Sequence, residues 1–275
     1  MADNGWQARL FLELQPGPNT IAKTILGKTV RSGPLTVQQP FYPEGSVCHL
    51  YLLHPPGGLV GGDCLDLSVE VHADAHGLMT TPGATKFYRS NGKTALQKQR
   101  FSLGTGAVFE WFPQETILFD GAVARVATVI DLAPGACFTG WDIICLGQPA
   151  TKKRFETGTL TSTLVVRQSS VPLLLDRLTI NGKEDLDACA GLRGFPVSAV
   201  FLATGVTQTV FEELRRNLEI KQQALFGITL LDQILVARYL GDSPQEARDS
   251  FLDLWKRIRP GITGREACLP RIWNT

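Results

Sequence analysis

Leu65, Leu67, Val69 and Val71 alternate with Asp66, Ser68, Glu70 and His72. A period of two puts one set of side chains in a core and the other toward water, the signature of a half-buried strand. The same period recurs through most of residues 6–205. Val123, Val126, Val129 and Ile130 mark a segment rich in β-branched residues, as do Thr159, Thr161, Thr163, Val165 and Val166. Turn signals punctuate the strands at Pro16-Gly17-Pro18-Asn19, Asp74 to Gly77, Pro82-Gly83, Asn91-Gly92, Gly104-Thr105-Gly106, Pro134-Gly135 and Asn181-Gly182. This rhythm predicts a large, antiparallel-rich β protein. No helices of ten to fifteen residues are interleaved among the strands, which argues against a doubly wound α/β sheet.

Helical periodicity arrives late. Phe211 to Leu218 predicts a short helix. A clearer one starts at Ser243-Pro244-Gln245-Glu246, with Ser243 as N-cap, Pro244 at the first helical position and Glu246 closing a capping box. Ala247, Phe251, Leu254, Trp255 and Ile258 then fall on one face. Arg259-Pro260-Gly261 is the expected stop. Between the two helices, Leu225 to Ala237 reads as one or two further strands. No low-complexity linker and no repeat of fixed period divides the chain, so residues 1–275 are expected to form one domain.

Composition narrows the function. Net charge is +1, so no field draws the chain to nucleic acid or an anionic membrane. Apolar residues make up 44%, too many for a disordered chain, and no apolar run reaches the roughly 20 residues of a membrane span. The first nine residues carry no basic stretch followed by an apolar one, so no signal peptide is expected and the protein is placed in the cytoplasm. Cysteines stand at 48, 64, 137, 145, 189 and 268, with no CxxC among them. They are expected to be buried, reduced thiols, not zinc ligands.

The densest stretch is Gln38-Gln39-Pro40-Phe41-Tyr42-Pro43-Glu44, running on to His54-Pro55-Pro56-Gly57-Gly58-Leu59-Val60-Gly61-Gly62-Asp63. Prolines fix extended backbone there, and the paired glycines permit positive φ and close approach of another segment. All four histidines, His49, His54, His72 and His76, lie in or just after it. His72 and His76 are four apart, but they sit on a strand end and a turn, not a helix face. Cys48 and His49 point to opposite faces of a strand. His49 alone or His54 alone reads as a hydrogen-bonded structural residue, and His72 and His76 as polar-face and turn histidines. Gly27-Lys28-Thr29 is not a phosphate loop, because Ala22 stands where its first glycine belongs. There is no GxSxG elbow and no HExxH.

Isolated carboxylates in apolar surroundings carry more. Glu110 lies within Val108-Phe109-Glu110-Trp111-Phe112. Asp142 shares a strand face with Phe138, Ile144 and Leu146. Asp176 follows three leucines. A buried carboxylate is costly unless paired, hydrated or bound to a cation. For Asp176, pairing with a basic neighbour stands beside a functional role; for Asp142, a hydrogen bond capping a turn is the structural alternative.

At these residues the chain resembles the urease accessory protein UreD (UreH) family. The resemblance rests on Gly33 to Glu44, Cys48 to Asp63, Thr81-Pro82-Gly83-Ala84-Thr85-Lys86-Phe87-Tyr88-Arg89-Ser90, Glu110-Trp111-Phe112-Pro113-Gln114-Glu115, Trp141-Asp142, Gly147, Arg259-Pro260 to Thr263-Gly264, and Leu269-Pro270-Arg271-Ile272-Trp273. It implies a mostly β fold, an elongated β-helix-like stack of sheets with a short helical part near the C-terminus. It implies a non-enzymatic accessory role: binding the urease apoprotein, recruiting UreF and, through it, UreG, and delivering nickel through a water-filled passage. Asp63, Asp142 and Asp176, with Glu110, are the residues expected to line that passage as transient nickel ligands. No tightly bound cofactor is expected. Asp176 stands where glutamate is expected in some relatives. Two other readings remain at this point. One is a carbohydrate-active β-helix enzyme using Asp63 and Asp142 as paired acids; the other is a urease-binding scaffold that never touches nickel.

Overall fold

In the computed structural model, which describes residues 5–18, 20–217 and 224–274, the alternating segments form two facing sheets. The chain starts on the first sheet with β1 (Gln7–Gly17) and β2 (Thr20–Ser32), then crosses to the second with β3 (Thr36–Val37) and β4 (Cys48–Leu53). It returns for β5 (Cys64–Val71) and crosses again for β6 (His76–Thr80) and β7 (Thr85–Phe87). The same alternation gives β8 (Ala95–Leu103) on the first sheet and β9 (Val108–Phe112) and β10 (Thr116–Leu118) on the second. It then gives β11 (Val123–Leu132) opposite β12 (Cys137–Gln148) and β13 (Lys153–Arg154). β14 (Thr159–Gln168) and β15 (Val171–Asn181) complete the first sheet. β16 (Val197–Thr204), β17 (Leu225–Leu231) and β18 (Ile234–Gly241) complete the second.

The expected antiparallel rhythm does not hold in the centre. β1, β5, β8, β11 and β14 pair in parallel, as do β4, β6, β9 and β12. The turns after β5, β8 and β11 make no hairpins. Each hands the chain to the opposite sheet, and the next strand lies beside the one a coil earlier. The corners stack through backbone hydrogen bonds: Val108 N–H to Ala75 O at 2.9 Å, and Cys137 N–H to Ala107 O at 2.8 Å. Ala75, Ala107 and Ala136 are buried in these corners. Register partners Leu67, Gln99, Thr128 and Leu164 therefore recur roughly every thirty residues. This is the β-helix-like stacking that the resemblance implies. Antiparallel pairs flank it: β1 with β2, β14 with β15, and β12, β16, β18 and β17 in succession.

Strands inside such a stack are apolar on both faces. β12 sends Phe138, Ile144 and Leu146 into the core between the sheets, and Trp141, Ile143 and Cys145 into a second core beneath the helices. The helices are α1 (Gly182–Asp187), α2 (Gln208–Arg216) and α3 (Pro244–Thr263). α1 had no sequence signal. α2 starts three residues before its predicted position, at the Thr207 cap; the predicted end at Leu218 falls outside the described residues, as does Asn19 of the first turn. α3 follows its sequence at the cap and along its apolar face, but the capping box is not closed by Glu246: Ser243 N–H donates to the Tyr239 hydroxyl, which in turn donates to Glu246 Oε2. The Ser243 side chain accepts from Glu246 N–H, and all five predicted apolar positions are buried. Phe251 and Trp255 each contribute on the order of 2–3 kcal/mol through burial. The predicted stop at Pro260 is wrong. The helix runs on to Thr263 and ends at Gly264, whose left-handed conformation (φ 68°) lets its N–H bond Pro260 O.

All six cysteines are free thiols. Cys48, Cys64 and Cys145 are buried as expected, Cys137 and Cys268 are only partly buried, and Cys189 is exposed. No described helix is long and apolar enough to cross a membrane.

Candidate functional site

Between the two sheets lies a cavity of about 440 Å³. The first sheet contributes Leu67, Gln99, Thr128 and Leu164, four register partners from adjacent coils. Thr128 Oγ1 donates to Gln99 Oε1 at 3.1 Å, a polar step in that wall. The second sheet contributes Phe138, Gly140 and Asp142, with Val200 as Asp142's register partner. His54 and Pro55 of the proline- and glycine-rich loop also line it.

Asp142 is the carboxylate of this wall. Among the described residues, no hydrogen bond or ion pair reaches its carboxylate. It is set deep among protein atoms yet keeps accessible surface, because it borders the cavity. Burial pushes its carboxyl up to about 6, and the charge of Asp176 adds to the shift. The predicted turn cap at Asp142 is not formed. Asp176, across from it on the first sheet, is paired: Arg238 donates to Oδ1 at 2.9 Å and to Oδ2 at 3.1 Å. His54, at the loop, is held below the ordinary imidazole range by burial, against the opposing pull of Asp63.

Asp63 itself serves the loop. Its Oδ1 accepts from Trp6 N–H at 2.7 Å and its Oδ2 from Val60 N–H at 2.8 Å. Both oxygens thus tie the N-terminal segment to the glycine-rich turn. Gly62 there has φ 98°, and a Cβ on Gly61 would lie 2.4 Å from Ser90 Oγ and 2.7 Å from Lys93 O. Only glycine satisfies either position without moving the neighbours.

Glu110 points the other way, out of the sheet toward α3, because its neighbour Trp111 takes the cavity side. Its Oε1 accepts from Trp255 Nε1 at 2.6 Å and Arg259 Nε at 3.0 Å; its Oε2 meets Arg259 Nη2 at 2.9 Å and His76 Nε2 at 3.0 Å. Arg259, 1% exposed, also donates to both oxygens of Glu44 and to Glu266 O. Glu44 in turn meets His49 Nε2 at 2.7 Å. Burial alone would raise Glu44, but the His49 and Arg259 hydrogen bonds outweigh it and hold the carboxyl down to about 2. Burial likewise opposes ionisation of Glu110, and His76 and Arg259 win again. This network fastens α3 and the segment around Glu44 to the second sheet. His49 is a hydrogen-bonded structural residue, as expected; His76, expected as a turn histidine, joins the same network, and no side-chain hydrogen bond reaches His54 among the described residues.

The four candidate acids therefore do not converge. Asp142 lines the cavity, Asp176 lies near enough for its charge to act on Asp142 but is outside the lining, Asp63 belongs to a loop clamp, and Glu110 to a buried ionic network. Sequence reading missed Arg238 and Arg259, which lie 62 and 149 residues from their partners. A basic residue on an otherwise apolar helix face was the available signal for Arg259. A separate group, Glu13, Glu70 and His72, brings ligating atoms within 4.8 Å of one another away from the cavity walls; Glu70 and His72 are exposed.

Comparison with known proteins places these features in a family. The model for "UreD urease accessory protein" matches residues 7–274. A urease accessory protein UreD of Alcanivorax borkumensis is 44% identical, covering 98% of this chain and 93% of its own length. That of Pseudomonas entomophila is 43% identical over 100% of this chain and 96% of its own. That of Citrobacter koseri is 41% identical over 98% and 92%.

Proposed function

The chain belongs to the UreD family of urease accessory proteins, and we propose that it acts in urease maturation as a non-catalytic scaffold whose inter-sheet cavity passes nickel. Its partners on this reading are the urease apoprotein and UreF, with UreG reached through UreF, in the cytoplasm. Nickel is cargo, bound only in transit.

The observation that carries the reading is Asp142, a carboxylate without a hydrogen-bond or ion-pair partner among the described residues, on the wall of a 440 Å³ cavity, with a second carboxylate, Asp176, close by. An ionised carboxylate held away from bulk water needs a cation or ordered water. A few oxygen ligands hold a divalent transition ion weakly, which suits passage better than storage. Asp142 and Asp176 are the transit ligands on this reading. Asp63 shapes the loop beside His54 and Glu110 holds α3, since the oxygens of both are already engaged. The same engagement speaks against Asp63 as one of two catalytic acids.

The test is urease matured with Asp142→Asn, Asp176→Asn and the double variant. Each amide chain is expected to co-purify with urease and UreF, while urease nickel content and activity fall, most in the double variant. Loss of the complex would make these acids interfacial. Full nickel content with the double variant would leave the scaffold role alone.

A further inference from the structure

Arg238 stands where the carboxylate-bearing strands approach each other. Asp142, Val200, Arg238 and Gly227 are successive register partners across β12, β16, β18 and β17, so their side chains share a sheet face. Asp142 and Val200 of that row line the cavity. On the facing sheet Asp176 is the register partner of Leu164, which also lines it. The Arg238 guanidinium crosses from one sheet to the other and grips both oxygens of Asp176.

Three properties separate this pair from the buried Arg259 network. It is accessible: the Arg238 side chain is 57% exposed and that of Asp176 22%. Exposed pairs are weak and exchange readily, whereas buried ones do not. It leaves a carboxylate over, since the guanidinium is spent on Asp176 and Asp142 has no hydrogen-bond or ion-pair partner among the described residues. It has room to open. A Cβ on Gly227, beside Arg238 in register, would meet nothing within 4 Å, and both residues line a neighbouring surface pocket.

We propose that Arg238 is a cation latch, occupying Asp176 until a divalent metal ion takes its place, and then swinging toward the space beside Gly227. The proposal rests on the passage reading above and adds a competitor to it. A divalent ion satisfies both carboxylates at once, which the single charge of Arg238 does not. The guanidinium thereby keeps Asp176 from trapping stray cations when no metal is present.

The experiment titrates Ni²⁺ alone into the purified chain by isothermal calorimetry. Wild type, Arg238→Gln, Asp176→Asn and the Arg238→Gln/Asp176→Asn double variant are compared, with circular dichroism confirming the fold. Removing a half-exposed competitor is expected to tighten Ni²⁺ binding about fivefold, about 1 kcal/mol at 1.4 kcal/mol per tenfold. The gain should vanish in the double variant. Equal or weaker binding by Arg238→Gln, or a gain that survives loss of Asp176, overturns the latch. If Arg238→Gln does not fold, the wild-type chain carries the test. Saturating Ni²⁺ should raise the reactivity of Arg238 toward phenylglyoxal, read by mass spectrometry, and unchanged reactivity overturns the proposal. The two readings fail separately. Tighter binding through Asp176 combined with full urease nickel content in the Asp142 and Asp176 amides would keep the latch and remove the passage. Unchanged binding in Arg238→Gln with reduced nickel content in those amides would do the reverse.

Discussion

Replacing Asp142 with asparagine should stabilise this protein at neutral pH, and by an amount that depends on pH in a defined window. The folded carboxyl titrates at about 6, against an ordinary value of 3.8. Each unit corresponds to 1.36 kcal/mol, so ionising Asp142 in the fold costs about 3 kcal/mol of stability at full extent. Because the folded value is raised, the native state holds the proton to higher pH than the unfolded chain does. Stability is therefore complete below about pH 3.8, declines as pH rises to about 6, and is flat beyond. The asparagine variant lacks this decline. Its advantage over wild type is expected to be about 1 kcal/mol at pH 4.5 and about 3 kcal/mol at pH 7.5. Urea denaturation at several pH values between these limits measures the difference directly. Adding Asp176→Asn should shrink the gap by removing the second cause of the shift. An advantage that does not change with pH, or a variant less stable than wild type at pH 7.5, would refute the picture of an uncompensated carboxylate on the cavity wall.

Other perturbations test the remaining supports. Arg259→Met leaves Glu44 and Glu110 buried without their cation and should cost about 3–5 kcal/mol at neutral pH, measured by the same denaturation. Glu44→Gln should cost about 3 kcal/mol at pH 7. The folded carboxyl is depressed from 4.5 to about 2, so its contribution is present above pH 4.5 and lost as pH falls through 2; the gap to wild type should close across that window. Gly61→Val should abolish soluble expression or urease activation, since its side chain has only Ser90 and the Lys93 backbone to enter; a normally folded, active variant would be decisive against this. Deleting residues 268–275 removes Trp273, whose Nε1 donates to Thr80 Oγ1 at 3.0 Å and whose ring lies against Phe112 and Trp141. The truncated chain is expected to lose about 3 kcal/mol or fail to form the urease complex, read by thermal melting and co-purification.

Several features were legible locally because their causes are local. The Ser243 cap, the apolar stripe of α3 and the alternation of β5 each depend on residues within a turn or a strand of one another. The stop at Pro260 was misread because the lost donor and the ring clash of a proline disfavour a helix without ending it, while Gly264 supplies the left-handed residue that does end it. Glu110 and Asp142 looked alike in sequence, each a carboxylate among apolar residues. They differ because residues brought from far along the chain satisfy one and not the other.

What the sequence determined by itself was which segments extend, which late segment coils, and which side chains seek a core, all consequences of periodicity and capping. Parallel pairing was decided by tertiary structure. A turn such as Asp74 to Gly77 has the same composition whether it closes a hairpin or passes the chain to a facing sheet, and only the strand one coil away settles the choice. The charges were decided there too. Arg259 finds Glu110 and Arg238 finds Asp176 across 149 and 62 residues, and Asp142 finds neither. The energy of a buried carboxylate depends on what lies within a few ångströms of it, and in a stacked β coil those neighbours come from other turns of the chain.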